Sequence, residues 1–335
     1  MPGRFFIPLR IDLSMQRVAL QCCHSQSRTE YERPPMAEES QFNEAIEAVI
    51  ESIETEQSGR RSQGAPPPDV GQVALINQRL RWLAFPGYFS GLNDDSPFAS
   101  GQVSAVLADL IQILRTQLEC AMKHEESHAF ATEADITGVI DAFLRQIPEV
   151  RRRLLLDEEA AFQGDPAAQH LDEAILCQPG MRALAVHRFA HELFLLKVPL
   201  LPRMMAEAAH GATGIDIHPG AKIGEAFFID HGTGVVIGET TEIGDRCTIY
   251  QGVTLGAAYF DRNHDGTIRR NYKRHPTLGN DVTVFAGATI LGGDTVIGSG
   301  STVNGGVFLT KSVPNHSIVQ GPKLDIRLRN REESL

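Results

Sequence analysis

The chain has 335 residues, an ordinary globular composition and a formal charge of −11. The acidic balance argues against a general nucleic-acid binder, and the absence of any apolar run of about eighteen residues excludes a membrane-spanning helix. Five cysteines, Cys22, Cys23, Cys120, Cys177 and Cys247, show no metal-ligand spacing. Their odd number and scatter suit a reducing, cytoplasmic setting better than a disulfide framework.

Residues 1–35 are arginine-rich (Arg4, Arg10, Arg17, Arg28, Arg33) and end in Pro34-Pro35, and Met36 follows. They read as a disordered leader or a non-native start, with a targeting segment as the alternative. Residues 36–213 read as a helical oligomerisation domain. Ile46, Val49, Ile50 and Ile53 lie at helical spacing, and Pro66-Pro67-Pro68 forms a stiff linker. Val73, Ile76, Leu80 and Leu83 make the next apolar face, stopped near Pro86-Gly87, and Val106, Leu110, Leu114 and Leu118 a longer one. Ile136, Ile140, Phe143 and Ile147 predict a helix closed by Pro148. Asp165, followed by Pro166, is expected to N-cap the next helix. Helices over 182–196 and 202–210 complete the domain, with Gly211 as the expected stop.

After Gly214 the period changes. Aliphatic residues recur six apart at Ile217, Ile223 and Ile229, then at Ile237, Ile243, Ile249 and Leu255. They return at Leu278, Val284 and Ile290, and at Ile297, Val303 and Leu309. A six-residue period fits a three-sided parallel β-helix over 214–322, with one short strand per side and about eighteen residues per coil. Each aliphatic side chain points inward, and the glycine that often follows turns the corner. Two irregularities stand out, an excess of two residues around His231-Gly232-Thr233-Gly234 and a polar insertion over 257–275. A tail, 323–335, follows the last coil.

Reactive side chains concentrate at these irregularities: Asp216, His218, Asp230 and His231 in the first coils, Arg274 and His275 at the end of the insertion. Residues near eighteen apart stack in such a solenoid, which brings Asp216 towards His231. A carboxylate beside an imidazole orients the ring and raises its basicity, the arrangement that takes a proton from a hydroxyl.

These segments resemble the serine O-acetyltransferases of the hexapeptide-repeat acyltransferase superfamily. The residues carrying the resemblance are Asp216-Ile217-His218-Pro219-Gly220, Asp230 to Thr240, Gln251-Gly252-Val253-Thr254-Leu255-Gly256, Arg274-His275-Pro276 and Gly164-Asp165-Pro166-Ala167. The resemblance implies a left-handed β-helix behind an all-helical domain. It implies direct transfer of acetyl from acetyl-CoA to the L-serine hydroxyl, with His231 as general base and Asp216 as its carboxylate partner. Asp165 and Asp230 would then receive the substrate ammonium, Arg274 its carboxylate, and His275 would add a contact near the carboxylate or hydroxyl. Acetyl-CoA is a co-substrate here, with no tightly bound cofactor. The resemblance puts CoA in a groove between neighbouring β-helices of a homotrimer, against Ala257, Ala286 and Gly305, and implies a dimer of trimers.

The sequence departs from the family pattern in the enlarged 257–275 insertion, in Phe285 and Thr302, and in Leu335, which stands where the family's terminal isoleucine grips O-acetylserine sulfhydrylase. An O-acyltransferase acting on another hydroxylated amino acid or small alcohol is the nearest alternative, supported by the insertion. A metal-dependent hydratase would need three histidines converging on one ion across a subunit interface, with His218, His231, His264 and His275 as candidates. The acid–imidazole and Arg-His patterns suit an amino acid better, so no metal is expected. A non-catalytic scaffold for a partner enzyme is the remaining alternative.

Overall fold

The computed structural model describes residues 43–60, 66–89, 100–124 and 132–322. The leader 1–35 and the tail 323–335 lie outside the described residues. The chain divides into two units, Met1–Arg61 and Ser62–Leu335. Within the first, α1 (Asn43–Arg60) carries Ile46, Val49, Ile50 and Ile53 as an exposed apolar stripe.

The second unit opens with six helices: α2 (Val70–Ala84), α3 (Ser100–His124), α4 (Glu133–Gly164), α5 (Asp172–Cys177), α6 (Pro179–Leu195) and α7 (Leu201–Thr213). Asp69 N-caps α2 by accepting from the Gln72 N–H at 2.8 Å. The expected faces of α2, α3 and α4 meet in one core containing Ile76, Leu80, Leu110, Leu114, Phe143 and Phe189. Two boundaries differ from expectation. α4 runs through Pro148 to Gly164. A mid-helix proline costs about 3 kcal/mol, but Phe143, Ile147, Val150 and Leu154 are buried on the same helix, and each is worth roughly 1.5–3 kcal/mol. Asp165 is therefore the residue that ends α4, not an N-cap: its N–H donates to the Ala161 carbonyl at 3.2 Å. Likewise α7 passes Gly211 and stops at Gly214, in the left-handed conformation with φ 69°.

The remainder is a left-handed parallel β-helix of fourteen short strands. β1 (Asp216–Ile217), β4 (Val236–Ile237), β7 (Thr254–Gly256), β10 (Thr289–Leu291) and β13 (Phe308–Leu309) form face A. β2 (Lys222–Ile223), β5 (Glu242–Ile243), β8 (Thr277–Leu278) and β11 (Val296–Ile297) form face B. β3 (Phe228–Ile229), β6 (Thr248–Ile249), β9 (Thr283–Val284), β12 (Thr302–Val303) and β14 (Ile318–Val319) form face C. The inward residues of every strand from Ile217 to Val303 stack into one core, joined by Cys247. Burial pushes the Cys247 thiol up to about 11, which leaves it a packing residue.

Register is broken more often than the repeat suggests. Lys222 stands over Glu242, 20 residues on, and Glu239 over Arg274, 35 on. Asn280 to Ser299 is 19 and Ser299 to Asn315 is 16, so the late coils gain one residue and then lose two. Glycines after the inward residue serve proximity more than turning. A Cβ on Gly244 would lie 2.3 Å from Asn280 Oδ1, and one on Gly279 2.5 Å from Ser299 Oγ.

Helices and β-helix are joined through a buried ion pair. Arg188 of α6 donates to both carboxylate oxygens of Asp157 of α4, at 2.5 and 2.7 Å, and to the Gly224 carbonyl at 2.8 Å. Asp157 also accepts from the Phe227 N–H at 2.9 Å. Three hydrogen bonds on the Asp157 carboxylate, two from the opposite charge, offset the cost of burying it.

Candidate active site

The two-residue excess falls where face C hands over to face A. Gly234 occupies the left-handed position that recurs one coil on at Gly252 and again at Gly287, with a Cβ on Gly252 only 3.5 Å from Gly287. His231 (φ 56°) and Gly232 (φ 81°) are the additional pair, also left-handed. A non-glycine residue held there costs on the order of 1–2 kcal/mol, and such residues cluster at functional sites. The result is an exposed imidazole, 72% accessible, with Nε2 3.8 Å from Asp230 Oδ1.

Three neighbours converge on this corner. The Gly234 N–H donates to the Gly214 carbonyl at 2.8 Å, and Gly232 lies against Ile215, which sets the His231 loop directly over the entry to β1 and Asp216. A Cβ on Gly164 would meet the Phe228 ring at 2.6 Å and one on Gly180 the Ile229 carbonyl at 2.3 Å. Those contacts bring Asp165 beside the strand leading into Asp230. Asp165 itself accepts from Ala167 N–H at 2.9 Å and Gln178 Nε2 at 3.0 Å.

Asp216 does not stack on His231. The excess shifts its ladder partner to Val236, and no ion pair within 4 Å joins Asp216 to His231. Its carboxylate clusters instead with Glu207 and His210 of α7. That trio, exposed at Glu207 and half-buried at His210 and Asp216, is the one grouping with metal-ligand proximity among the described residues; within one chain His218, His231, His264 and His275 do not converge.

Arg274 and His275 sit at the next corner, where face A hands over to face B. Face A separates them from His231 in the same chain. His275 is buried with its ring over Gly238, whose added Cβ would lie 2.1 Å away. Its Nδ1 accepts from the Thr240 N–H at 3.1 Å. Burial and then Arg274 push its pKa down to about 4, so the ring is neutral at pH 7 with the proton on Nε2. His218, edge-on to the Phe194 ring at 5.9 Å, is lowered likewise by burial. The Arg274 guanidinium donates to Glu239, a residue not anticipated from the sequence. Burial pushes the Glu239 carboxyl up, but Arg274 and the nearby His218 hold it below its ordinary value. The 35-residue spacing that stacks Glu239 under Arg274 was present in the sequence, hidden by the insertion.

The small residues divide between the same corners. Ala286 and Gly305 stack above His231, with the Gly306 N–H donating to the Ala286 carbonyl at 3.0 Å, while Ala257 lies at the Arg274 corner. Phe285 is stacked on Tyr250 at 5.0 Å, in the column that rises from Asp230.

No family model matches the chain. It is similar to the plasmid serine acetyltransferase of Synechococcus elongatus, with 43% identity over 261 residues covering 76% of this chain and 82% of that protein. A Synechocystis serine acetyltransferase is 51% identical over 137 residues, 41% of this chain and 51% of its own length. Among solved structures, Entamoeba histolytica serine acetyltransferase 1 in complex with L-cysteine superposes with a TM-score of 0.65 at 33% identity, covering 84% of this chain and all of that one. Isoform 3 from the same organism, in complex with cysteine, gives 0.65 at 30% identity over 88% of this chain and 96% of its own.

Proposed function

The chain belongs to the serine acetyltransferase family, and from that premise we propose the route by which it acetylates L-serine and the residues that carry it. Acetyl-CoA is the co-substrate. His231 takes the proton of the serine hydroxyl, whose oxygen attacks the thioester carbonyl directly. The tetrahedral intermediate collapses, the C–S bond breaks, and the imidazolium returns the proton to the departing CoA thiolate. No enzyme nucleophile is needed. The observation that carries this reading is the inserted left-handed pair, which holds an exposed imidazole beside Asp230 at the one break in the early coils.

The charges suit a zwitterion. Asp165 and Asp230 receive the ammonium, and Arg274 the carboxylate as a planar bidentate donor. His275, neutral, offers Nε2–H near the carboxylate or hydroxyl. Asp216 orients His231 once the ring turns from Asp230 towards the β1 entry beneath it.

His231 and Arg274 occupy different corners of one triangular coil, so a complete site needs the His231 corner of one subunit against the Arg274 corner of the next. A cyclic homotrimer provides three such interfaces. The same pairing sets Ala257 of one subunit across from Ala286 and Gly305 of its neighbour, along the groove assigned to CoA. Association of two trimers through the helical domain completes the proposal. Cysteine, bound by both Entamoeba relatives, differs from serine by sulfur for oxygen and is proposed to occupy the acceptor site.

The test is thiol release from acetyl-CoA by purified protein. L-serine should support turnover well above homoserine, threonine or sugars, and cysteine should compete with it. No serine-dependent release would end the proposal.

A further inference from the structure

The enlarged insertion is an ordered hairpin. Arg262 and Ile268 form an antiparallel bridge, the Asn263 N–H donates to the Thr267 carbonyl at 2.9 Å, and Gly266 (φ 83°) closes the turn. The Arg269 N–H donates to the Asp261 carbonyl at 2.8 Å, and Tyr272 Oη accepts from the Asp261 N–H at 2.9 Å. Asn271, left-handed at φ 59°, is the elbow that returns the chain to the coil; asparagine tolerates that conformation better than most residues.

The hairpin leans towards the first coil and, with His218, Glu239 and Arg274, lines a half-open pocket of about 390 Å³. Arg269 and Arg270 line the same space. Three guanidiniums thus face one carboxylate, and His218, its proton affinity lowered by burial, adds no charge at neutral pH. Two of the three are already engaged. Arg274 is paired with Glu239, and Arg269 is held by Asp261 at 3.5 Å and lies 5.2 Å from the Tyr272 ring centre. Arg270 has no carboxylate within ion-pair distance among the described residues. A cavity with surplus positive charge and an unpaired guanidinium fits an anion. Its position beside Arg274 and His218, on the helical-domain side of Ala257, matches the acceptor's carboxylate better than the CoA phosphates.

We propose that the 258–273 hairpin roofs the acceptor pocket and that Arg270 supplies a second guanidinium to the carboxylate assigned to Arg274. This rests on the acetyl-acceptor reading above. Arg270 is a binding residue for the ground state, so its loss appears in KM and not in kcat.

The test is steady-state kinetics of the full chain and of R270A and R270K with L-serine and acetyl-CoA varied separately. R270A should raise KM for L-serine about tenfold or more, the loss of one hydrogen bond between charged groups. Its kcat and its KM for acetyl-CoA should stay within about twofold, and R270K should fall between. An unchanged KM for serine, a rise confined to the KM for acetyl-CoA, or a fall in kcat alone overturns the inference. If the unaltered protein shows no serine-dependent thiol release, the acceptor reading fails and takes this with it. Wild-type turnover with an unaltered R270A KM removes the roof alone.

Discussion

Single histidines record how this fold uses burial. His187 lies in the α4–α6 core with its ring 5.7 Å from His191, and burial, then His191, Arg188 and His218, hold it well below the ordinary histidine range. His218 is lowered too, and His275 falls to about 4. All three are neutral in the folded protein at pH 7. The unfolded chain takes up their protons near pH 6.5, before the native state does, so stability is lost as pH falls from about 6.5 towards 4. Glu158 acts in the opposite sense: burial, then Asp172 and Glu159, push it up to about 7. Three protons outweigh one. The urea midpoint should therefore drop steadily between pH 7 and pH 5, and a flat profile would show that these rings are not buried as described. The burial of these rings was not legible in the sequence: His187 lies on a helix whose pattern gives it no special place, and His218 and His275 flank inward aliphatic positions without occupying them. His231 was legible, because it interrupts a strict period. The partnership of Asp216 with His231 was read with one error: stacking at near eighteen ignores the two inserted residues that move its partner to Val236.

At the scale of elements, the six-residue repeat exposed the strands almost completely, because one inward side chain per strand suffices to build the core. The helices were read as faces, and their ends were misjudged where packing overrides local signals, at Pro148 and Gly211. The join between the two parts was invisible, since Asp157 and Arg188 look like solvated charges on amphipathic helices. Buried, they tie α4 and α6 to the turn before β3. Removing one partner leaves an unpaired charge in the interior, which costs about 3–5 kcal/mol. Arg188→Met and Asp157→Leu should each lower the unfolding free energy by that amount in denaturant titrations. The double replacement should recover a large part of it, because no uncompensated charge remains. Single-site losses that simply add would show that the pair contributes no coupling.

For the whole molecule, the decisive feature is that the repeat distributes one set of reactive groups over two corners. His231 and Asp230 end one face and Arg274 and His275 begin another, and no rearrangement within a rigid coil brings them together. The sequence showed both halves as if they were one site, since their order along the chain says nothing about which corner each occupies. Only the strand pairing separates them. The proposed trimer turns this into a test. His231→Ala alone should lose the general base, a step worth roughly 10²–10⁴ in rate, and Arg274→Ala alone should lose serine binding. Co-expressed in equal amounts and purified through two tags, the inactive chains should form mixed trimers. In those trimers an intact His231 corner meets an intact Arg274 corner at about one interface in three, because a cyclic ring of three that holds both kinds of chain has a single such junction. Activity should return to about that fraction of wild type, while either variant mixed with itself stays inactive. If each chain housed a complete site, mixing would restore nothing, because every subunit would carry its own defect into its own pocket.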